Sequence, residues 1–100
     1  MVSRIIHSLQ AKQDIQDAVY WYNEEQKGLG EKFLSELKIY LQIIPSKPKA
    51  FAIRFDDIRC LPLKKFPFLI YYRYEESIDT IFIEAIFNTN LNPKNWQRNT

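Results

Sequence analysis

The hydrophobic pattern changes its period once along this chain of 100 residues, and that change constrains the fold more than any other feature. Between Ala11 and Pro45 the apolar residues recur at intervals of three and four, which is typical of amphipathic helices. After Pro48 they recur at intervals of two, which is typical of strands. The pattern therefore predicts an α+β domain in which helices pack on one face of a sheet.

Two helices are predicted before the change of period, over residues 11–27 and 30–45. Ser8 precedes the first helix and is of the residue type that caps a helix N-terminus. Gly28 follows that helix and is predicted to end it in the left-handed conformation. Because only two or three residues join the helices, they should form an antiparallel hairpin.

Five strands are predicted around the hairpin, over residues 2–7, 51–55, 58–63, 68–74 and 78–87. The last of them is apolar on both faces, so it should lie in the centre of the sheet. Pro62 cannot donate a ladder hydrogen bond, which restricts its strand to an edge or a bulge. The expected fold is an N-terminal strand, an antiparallel helical hairpin and then a three- to four-stranded antiparallel meander. Residues 1–100 are expected to form a single domain, since a chain of this length supports one hydrophobic core.

The composition excludes several classes of function. Two glycines, neither in a glycine-rich run, leave no loop of the kind that holds nucleotide phosphates, so no cofactor is expected. One cysteine and one histidine are too few for an internal disulfide or a structural zinc site, and no metal is expected. The sequence has no stretch of about 18 apolar residues and no signal-peptide pattern at its N-terminus. A cytoplasmic protein without membrane contact is therefore expected.

Positive charge is concentrated in the middle of the chain. Residues 47–74 carry seven lysines and arginines against two aspartates, a net charge of +5, whereas the whole chain carries only +2. An acidic partner is therefore expected for this region. Since neighbouring strands lie within about 5 Å of each other, five of these bases are predicted to share one face. They are Arg54, Arg59, Lys64, Lys65 and Arg73.

Arg73 is the strongest single candidate for binding, and two interpretations of it stay open. It lies between Tyr72 and Tyr74 in an apolar strand, where an unpaired guanidinium is costly. It should therefore face either a binding groove or a carboxylate such as Glu84. Tyr71, on the same face of the strand, is a candidate for stacking on a nucleotide base, although such aromatic runs are more often part of a core.

Three other residues have simpler predicted roles. Trp96, near the end of the chain, either anchors that end onto the domain or marks a binding surface. His7 is predicted to be a hydrogen-bonded residue at a strand edge rather than a catalyst. Cys60 is predicted to be a buried small hydrophobic side chain.

Four strings of residues occur in an order that is typical of one protein family. In chain order they are the helical segment from Ala11 to Tyr22, then Gly28-Leu29-Gly30 with Phe33, then Lys65-Phe66-Pro67-Phe68 with Ile70-Tyr71-Tyr72, and last Ala85-Ile86-Phe87-Asn88 with Pro93 and Trp96. Over nearly its whole length the chain resembles the RelE/ParE superfamily of bacterial type II toxins, which includes plasmid stabilisation proteins.

The resemblance implies an antitoxin partner that lies across the helical hairpin and the sheet, and it leaves three functions open. A ParE-like toxin binds DNA gyrase and stalls it on cleaved DNA, without chemistry of its own. A RelE-like toxin cuts mRNA on the ribosome without a metal, using the RNA 2′-hydroxyl as the nucleophile. The third function is that of an inactive toxin-like module that still binds its antitoxin.

Asn88 favours the ParE-like function. It stands where many members of the family have histidine, the side chain that titrates near neutral pH. If the protein is a nuclease instead, its catalytic residues are expected to be Lys64, Lys65 and Arg73, which would supply positive charge to the reacting phosphate. The residues expected to bind the target or the antitoxin are Arg54, Arg59, Tyr71, Asn88 and Trp96.

Overall fold

Helices and strands follow one another in the predicted order. The computed structural model describes residues 4–90. Its elements are β1 (Arg4–His7), α1 (Leu9–Glu25), α2 (Leu29–Ile43), β2 (Ile53–Phe55), β3 (Ile58–Pro62), β4 (Phe68–Glu75) and β5 (Thr80–Asn88), with short 3-10 turns at Ile44–Ser46 and Glu76–Ile78. The predicted α+β fold class is confirmed, and the observed elements differ from the predicted ones mainly at their ends.

The five strands form one sheet in the order β1-β5-β4-β3-β2. β2 to β5 are an antiparallel meander, and β1 adds to it by pairing in parallel with β5. β5 is therefore an inner strand, as its two apolar faces predicted. The prediction that Pro62 restricts its strand to an edge or a bulge is wrong, because β3 lies between β4 and β2 and pairs with β4 without a bulge. Pro62 is the last residue of β3 and lies beyond the part of that strand that pairs with β2, so its missing N–H disrupts no ladder there.

Helix α1 is joined to β5 by two polar side chains near its start. The Ser8 hydroxyl accepts the N–H of Ala11 at 2.9 Å, as the N-cap prediction required, and donates to the carbonyl oxygen of Glu84 at 2.7 Å. The Asp14 carboxylate accepts the N–H of Ile86 at 2.9 Å. Both bonds satisfy backbone groups in the part of β5 that extends past its pairing with β1. Burial raises the pKa of Asp14 in spite of its hydrogen bonds.

The two helices approach each other most closely at Gly30. A Cβ atom there would lie 2.5 Å from the carbonyl oxygen of Val19, so only glycine fits. Gly28 has the predicted left-handed conformation, with φ +86°, but it precedes α2 as the N-cap instead of ending α1. Because Gly28 has no side chain, Asn23 of α1 accepts the N–H of Gly30 at 2.8 Å and takes over the capping of α2.

The hydrophobic core lies between the helical hairpin and one face of the sheet. Its fully buried side chains include Phe33 and Leu37 of α2, Ile70 and Tyr72 of β4, and Ile81 and Ile83 of β5. Rings from α1, α2 and β4 meet at one end of this core, where the centroids of Phe33 and Phe68 are 4.9 Å apart. None of the helices within residues 4–90 is long and apolar enough to cross a membrane.

Candidate interaction face

The strands β4 and β5 present different side chains to the two sides of the sheet. On β4, Phe68, Ile70 and Tyr72 point towards the helices and are buried. Because side chains alternate along a strand, Tyr71 and Arg73 point to the other side. We call the side of the sheet away from the helices the open face.

Glu84 contributes an acidic side chain to the open face, at a bulge in β5. The pairing of β5 with β4 shifts by one residue after Tyr71, so that β5 contains one extra residue, Glu84. Ile83 and Ile86 therefore both point towards the helices although they are three residues apart, and both are buried. Glu84 follows the helix-facing Ile83, so its carboxylate lies on the open face, on the side of Arg73.

Arg73 is paired with two carboxylates on the open face. Its Nη1 lies 2.9 Å from Oε1 of Glu75, and its Nε lies 3.4 Å from Oε2 of Glu84. The guanidinium also lies over the ring of Phe82, with 4.4 Å from Cζ to the ring centroid. Of the two interpretations that the sequence left open, a carboxylate partner is the one observed. Two negative charges surround one positive charge, so this part of the face does not present excess positive charge.

An aromatic row lies beside this ion-paired group. Tyr71 stacks on Phe87 with a centroid distance of 5.8 Å, and meets the ring of Phe55 edge-on at 5.9 Å. Phe55 is 52% exposed, which is high for a ring of this size. Arg54 reaches the same region and hydrogen-bonds the thiol of Cys60, and burial raises the pKa of that thiol. Phe55, Tyr71 and Phe87 thus form an aromatic row on the open face.

Arg59 lies on the opposite side of the sheet and holds the backbone in place. In the β3–β4 ladder Arg59 stands opposite the buried Tyr72, so both side chains lie on the same side of the sheet. Its Nη1 donates to the carbonyl oxygens of Phe51 at 2.7 Å and Lys49 at 3.1 Å. The Tyr72 hydroxyl donates to the carbonyl oxygen of Pro48 at 2.7 Å. Together these two side chains fix the connection between α2 and β2. Burial raises the pKa of Tyr72 to about 12.

The five bases that were predicted to share one face do not share it. Arg54 and Arg73 belong to the open face, whereas Arg59 belongs to the helix-covered side. Lys64 and Lys65 are exposed in the loop between β3 and β4. That loop lies beyond the pair Pro62–Leu69, and Leu69 is about 13 Å along β4 from Arg73 at 3.3 Å per residue. The structure therefore does not bring Lys64, Lys65 and Arg73 together.

Asn88 ends β5, where its Oδ1 accepts the backbone N–H of Asn90 at 2.8 Å. Trp96, the other residue expected to bind near the C-terminus, lies outside the described residues. The binding roles of both residues stay predictions.

The histidine of the chain is not on the open face. His7 pairs with Ile83, whose side chain points towards the helices. Burial and the nearby Lys12 ammonium lower the pKa of His7, so its imidazole is largely neutral at pH 7.

Within residues 4–90 no group of three or more histidine, cysteine or acidic side chains could hold a metal ion. In this part of the chain, the open face is a surface of rings and paired charges.

Sequence reasoning missed several members of this face. Phe55, Phe87 and Phe82 were assigned to strands without a role, and Glu75 was assigned to a turn. One signal was available in the sequence. The isoleucines of β5 recur at positions 81, 83 and 86, and the change of spacing from two to three marks the bulge.

Comparison with known proteins identifies the fold. No protein-family model matches the sequence, and no curated protein matches it in a sequence comparison. A chain of the chromosomal ParDE toxin–antitoxin system of P. aeruginosa has a TM-score of 0.77 at 17% identity, over 90% of this chain and 98% of that one. The isolated RelE toxin of E. coli has a TM-score of 0.66 at 14% identity, over 96% of this chain and 97% of that one. This protein has the RelE/ParE toxin fold.

The RelE/ParE fold is present nearly in full, since almost the whole length of each of these chains is matched. A chain of the intact E. coli RelBE toxin–antitoxin complex gives a similar result, with a TM-score of 0.67 at 14% identity over 87% of this chain and 96% of that one. The resemblance inferred from the four sequence strings is therefore confirmed by the fold.

Proposed function

We propose that this protein is the toxin of a bacterial type II toxin–antitoxin system, that it acts in the cytoplasm by binding and poisoning DNA gyrase, and that a cognate antitoxin neutralises it. The observation that carries this proposal is the open face of a RelE/ParE fold, on which the central arginine is already ion-paired beside an aromatic row. Such a face suits binding to a protein through apolar contacts.

The chemistry of the open face supports binding over RNA cleavage. Attack by an RNA 2′-hydroxyl needs a base, an acid and positive charge at the phosphate. Arg73 already neutralises Glu75 and is also paired with Glu84, and the two lysines that were to assist it lie in a distant loop. The match to the ParDE chain, with a TM-score of 0.77 against 0.66 for RelE, supports the same branch.

Arg54 and Tyr71 are the proposed contacts with the gyrase or the antitoxin on this face. Tyr71 lies at the centre of the aromatic row, and Arg54 is the exposed base beside it. Asn88 and Trp96 are proposed to contribute from the end of β5 and beyond. Arg59 contributes indirectly, because its guanidinium holds the backbone at Lys49 and Phe51.

Expression in a bacterium that lacks the antitoxin gene tests the proposal. Growth should stop, cells should form filaments and a DNA-damage reporter should be induced, because a stalled gyrase leaves broken DNA. With purified gyrase and plasmid DNA, the protein should increase the amount of linear DNA that is released by detergent and protease.

Two tyrosine variants connect this activity with the open face. Tyr71→Ala should reduce the linear DNA product and the growth arrest, since it removes the centre of the aromatic row. Tyr20→Ala is the matched control, because Tyr20 is 68% exposed on helix α1, and this variant should remain toxic. Thermal unfolding of both variants shows whether a loss of activity follows from unfolding.

Three results would contradict the proposal in different ways. Cleavage of mRNA at codon positions without a DNA-damage response would make the protein a RelE-like nuclease. Binding to an antitoxin without growth arrest would make it an inactive module. Full toxicity of a folded Tyr71→Ala variant would move the target contact away from the open face.

A further inference from the structure

The first strand is one edge of the sheet, and its outer side has no partner strand among residues 4–90. β1 pairs with β5 alone. The N–H of Ser8 donates to the carbonyl oxygen of Ile83 at 2.9 Å, so Ser8 directs its backbone groups towards β5. Because backbone groups alternate in direction along a strand, those of Ile5 and His7 point away from β5. The N–H and C=O groups of these two residues are therefore free to pair with another strand.

Apolar side chains flank this edge on both faces of the sheet. Ile5 pairs with the buried Ile81 and therefore lies on the helix-covered face. Ile6 pairs with Phe82 and lies on the open face. Each of these two isoleucines of β1 is 38% exposed. β1 has no proline, lysine or bulge, which are features that keep exposed strand edges from pairing, so this edge favours the addition of a strand.

The outward backbone groups of β1 are self-complementary. Within β1, an antiparallel pair of two copies uses all of these groups only when Ile5 of one copy lies opposite His7 of the other. This register sets Ile6 opposite Ile6 of the second copy, on a two-fold axis perpendicular to the sheet. The two isoleucines then shield each other from water. Because burial lowers the pKa of His7, the imidazole that faces Ile5 is largely neutral at pH 7.

Charges on the open face near β1 are not balanced within one copy. Glu75 and Glu84 surround Arg73, which leaves this group with an excess negative charge. Arg4 shares the open face with Ile6, because side chains alternate along β1. It is exposed and forms no ion pair with any residue from 4 to 90. Each copy thus has an unpaired positive charge and an excess negative charge on the same face.

The same register brings these charges together between two copies. Arg4 lies opposite Ser8 of the second copy, and Ser8 is next to Glu84 of its own β5. The Cα atoms of Arg4 and the second copy's Glu84 are then two strand spacings apart, about 10 Å. Extended arginine and glutamate side chains can span this distance and form an ion pair. The two-fold axis repeats the ion pair on its other side.

We propose that this protein forms a two-fold dimer by antiparallel pairing of β1 with β1 of a second copy. The five-stranded sheets of both copies then join into one continuous sheet, with both open faces on the same side. Backbone hydrogen bonds of Ile5 and His7, the Ile6 contact and the ion pairs of Arg4 hold the copies together. Because β2 is the opposite edge of the sheet, the aromatic row at Phe55 stays accessible. This inference does not rest on the proposed toxin activity.

Analytical ultracentrifugation over a range of protein concentrations tests the dimer. The wild type should shift from monomer to dimer as the concentration rises. Ile6→Lys should stay monomeric over the same range, because it places two like charges opposite each other on the axis. Ile53→Lys is the matched control, since Ile53 is 53% exposed on the opposite edge strand β2, and this variant should dimerise like the wild type.

The charge contribution is tested with Arg4→Ala. This variant should dimerise roughly fivefold more weakly than the wild type, which is the expected effect of losing two exposed ion pairs. Added salt should weaken the wild-type dimer more than the dimer of Arg4→Ala, because it screens the ion pairs that the variant lacks. Equal salt dependence of the two proteins would contradict the pairing of Arg4 with Glu84.

Cysteine cross-linking tests the register, in a Cys60→Ser background that removes the natural thiol. Ile6 and its copy form a non-hydrogen-bonded pair with Cα atoms about 4.5 Å apart, which is within the range of disulfides. Ile6→Cys should therefore form a disulfide-linked dimer under mild oxidation. Ile5→Cys is the matched control with the same exposure, 38%. The two copies of residue 5 lie on a diagonal of about 7–8 Å, so this variant should cross-link far less.

Far-UV circular dichroism shows whether each variant is folded. If Ile6→Lys does not fold, Ile6→Thr is measured in its place and should also weaken the dimer. A wild type that stays monomeric at every concentration would overturn the inference. A dimer that is abolished by Ile53→Lys and not by Ile6→Lys would be assigned to the β2 edge instead. Equal cross-linking of Ile5→Cys and Ile6→Cys would contradict the two-fold register.

Discussion

The two faces of the sheet are formed by the same strands but differ in their exposure to solvent. The face under the helices is closed, and Ile70, Ile81 and Ile83 on it are inaccessible to solvent. The open face presents half-exposed rings and a guanidinium paired with carboxylates. The free energy of folding therefore comes mainly from the helix-covered face, since the hydrophobic effect scales with the apolar area removed from water. The open face can carry side chains that suit a partner at little cost in stability.

The comparison also corrects the interpretation of charge along the sequence. A net charge of +5 over residues 47–74 predicted a single positive face. Strand alternation places Arg59 on the helix-covered side and Glu84, which follows the buried Ile83, on the open side. Charge counted along a chain is thus divided between two faces, and acidic residues from another segment neutralise part of it.

The largest difference between the faces should appear when one phenylalanine on each side is truncated. Phe33→Ala removes a fully buried ring from the helix-covered core and should lower the free energy of unfolding by about 3–5 kcal/mol. Phe55→Ala, on the open face, removes a ring that is 52% exposed and should cost less than about 1 kcal/mol. Urea denaturation measures both. Equal losses for the two variants would show that the open face contributes to the core.

The closed face depends on the close approach of the two helices at Gly30. Gly30→Ala places a Cβ atom 2.5 Å from the carbonyl oxygen of Val19, so the helices must separate, and the expected loss is about 1–3 kcal/mol. Gly28→Ala meets no atom within 4 Å and should cost only the strain of a left-handed alanine, about 1 kcal/mol. Thermal or urea unfolding ranks the two variants. A smaller loss for Gly30→Ala than for Gly28→Ala would contradict the tight helix contact.

Tyr72 on the helix-covered face makes the stability of the fold sensitive to alkaline pH. Its pKa rises from 10.0 to about 12 in the folded protein, so the unfolded chain loses this proton first. The stability linked to this proton is complete below pH 10 and is lost as the pH rises from 10 to about 12. At pH 7 Tyr72→Phe should be less stable by about 1 kcal/mol, because the bond to Pro48 is lost.

This deficit of Tyr72→Phe should shrink by about 1 kcal/mol between pH 9 and pH 11. The measurement is urea unfolding of both proteins at each pH. Tyr20→Phe, an exposed tyrosine on α1, is the control and should follow the wild type throughout. A gap between Tyr72→Phe and the wild type that does not change with pH would disprove the alkaline sensitivity of this site.

The smallest effect is expected for the ion pairs of the open face. The side chain of Arg73 is 28% exposed and that of Glu84 is 36% exposed, so solvent weakens their attraction. Arg73→Ala should cost about 1 kcal/mol or less, and Arg73→Lys should recover part of this, since lysine keeps the charge but not the planar fork. A double-mutant cycle with Glu84→Ala should give a coupling of about 0.5 kcal/mol that falls as salt is added. A coupling of zero at low salt would show that the pair does not stabilise the open face.

The sequence by itself determined the elements of this fold. The spacing of apolar residues predicted both helices and all five strands, because each element needs one apolar stripe or face whatever its neighbours are. Ser8 has its predicted place for an equally local reason, since a helix N-terminus needs an acceptor.

Only the tertiary structure decided which side chains meet on the open face. Glu84 meets Arg73 because β4 and β5 pair in the register that sets Arg73 opposite Phe82, two residues from Glu84. Arg59 holds Lys49 and Phe51 because the connection between α2 and β2 folds back over it. Such contacts join residues that are distant in sequence, and their geometry follows from the packing of the whole domain rather than from any local pattern.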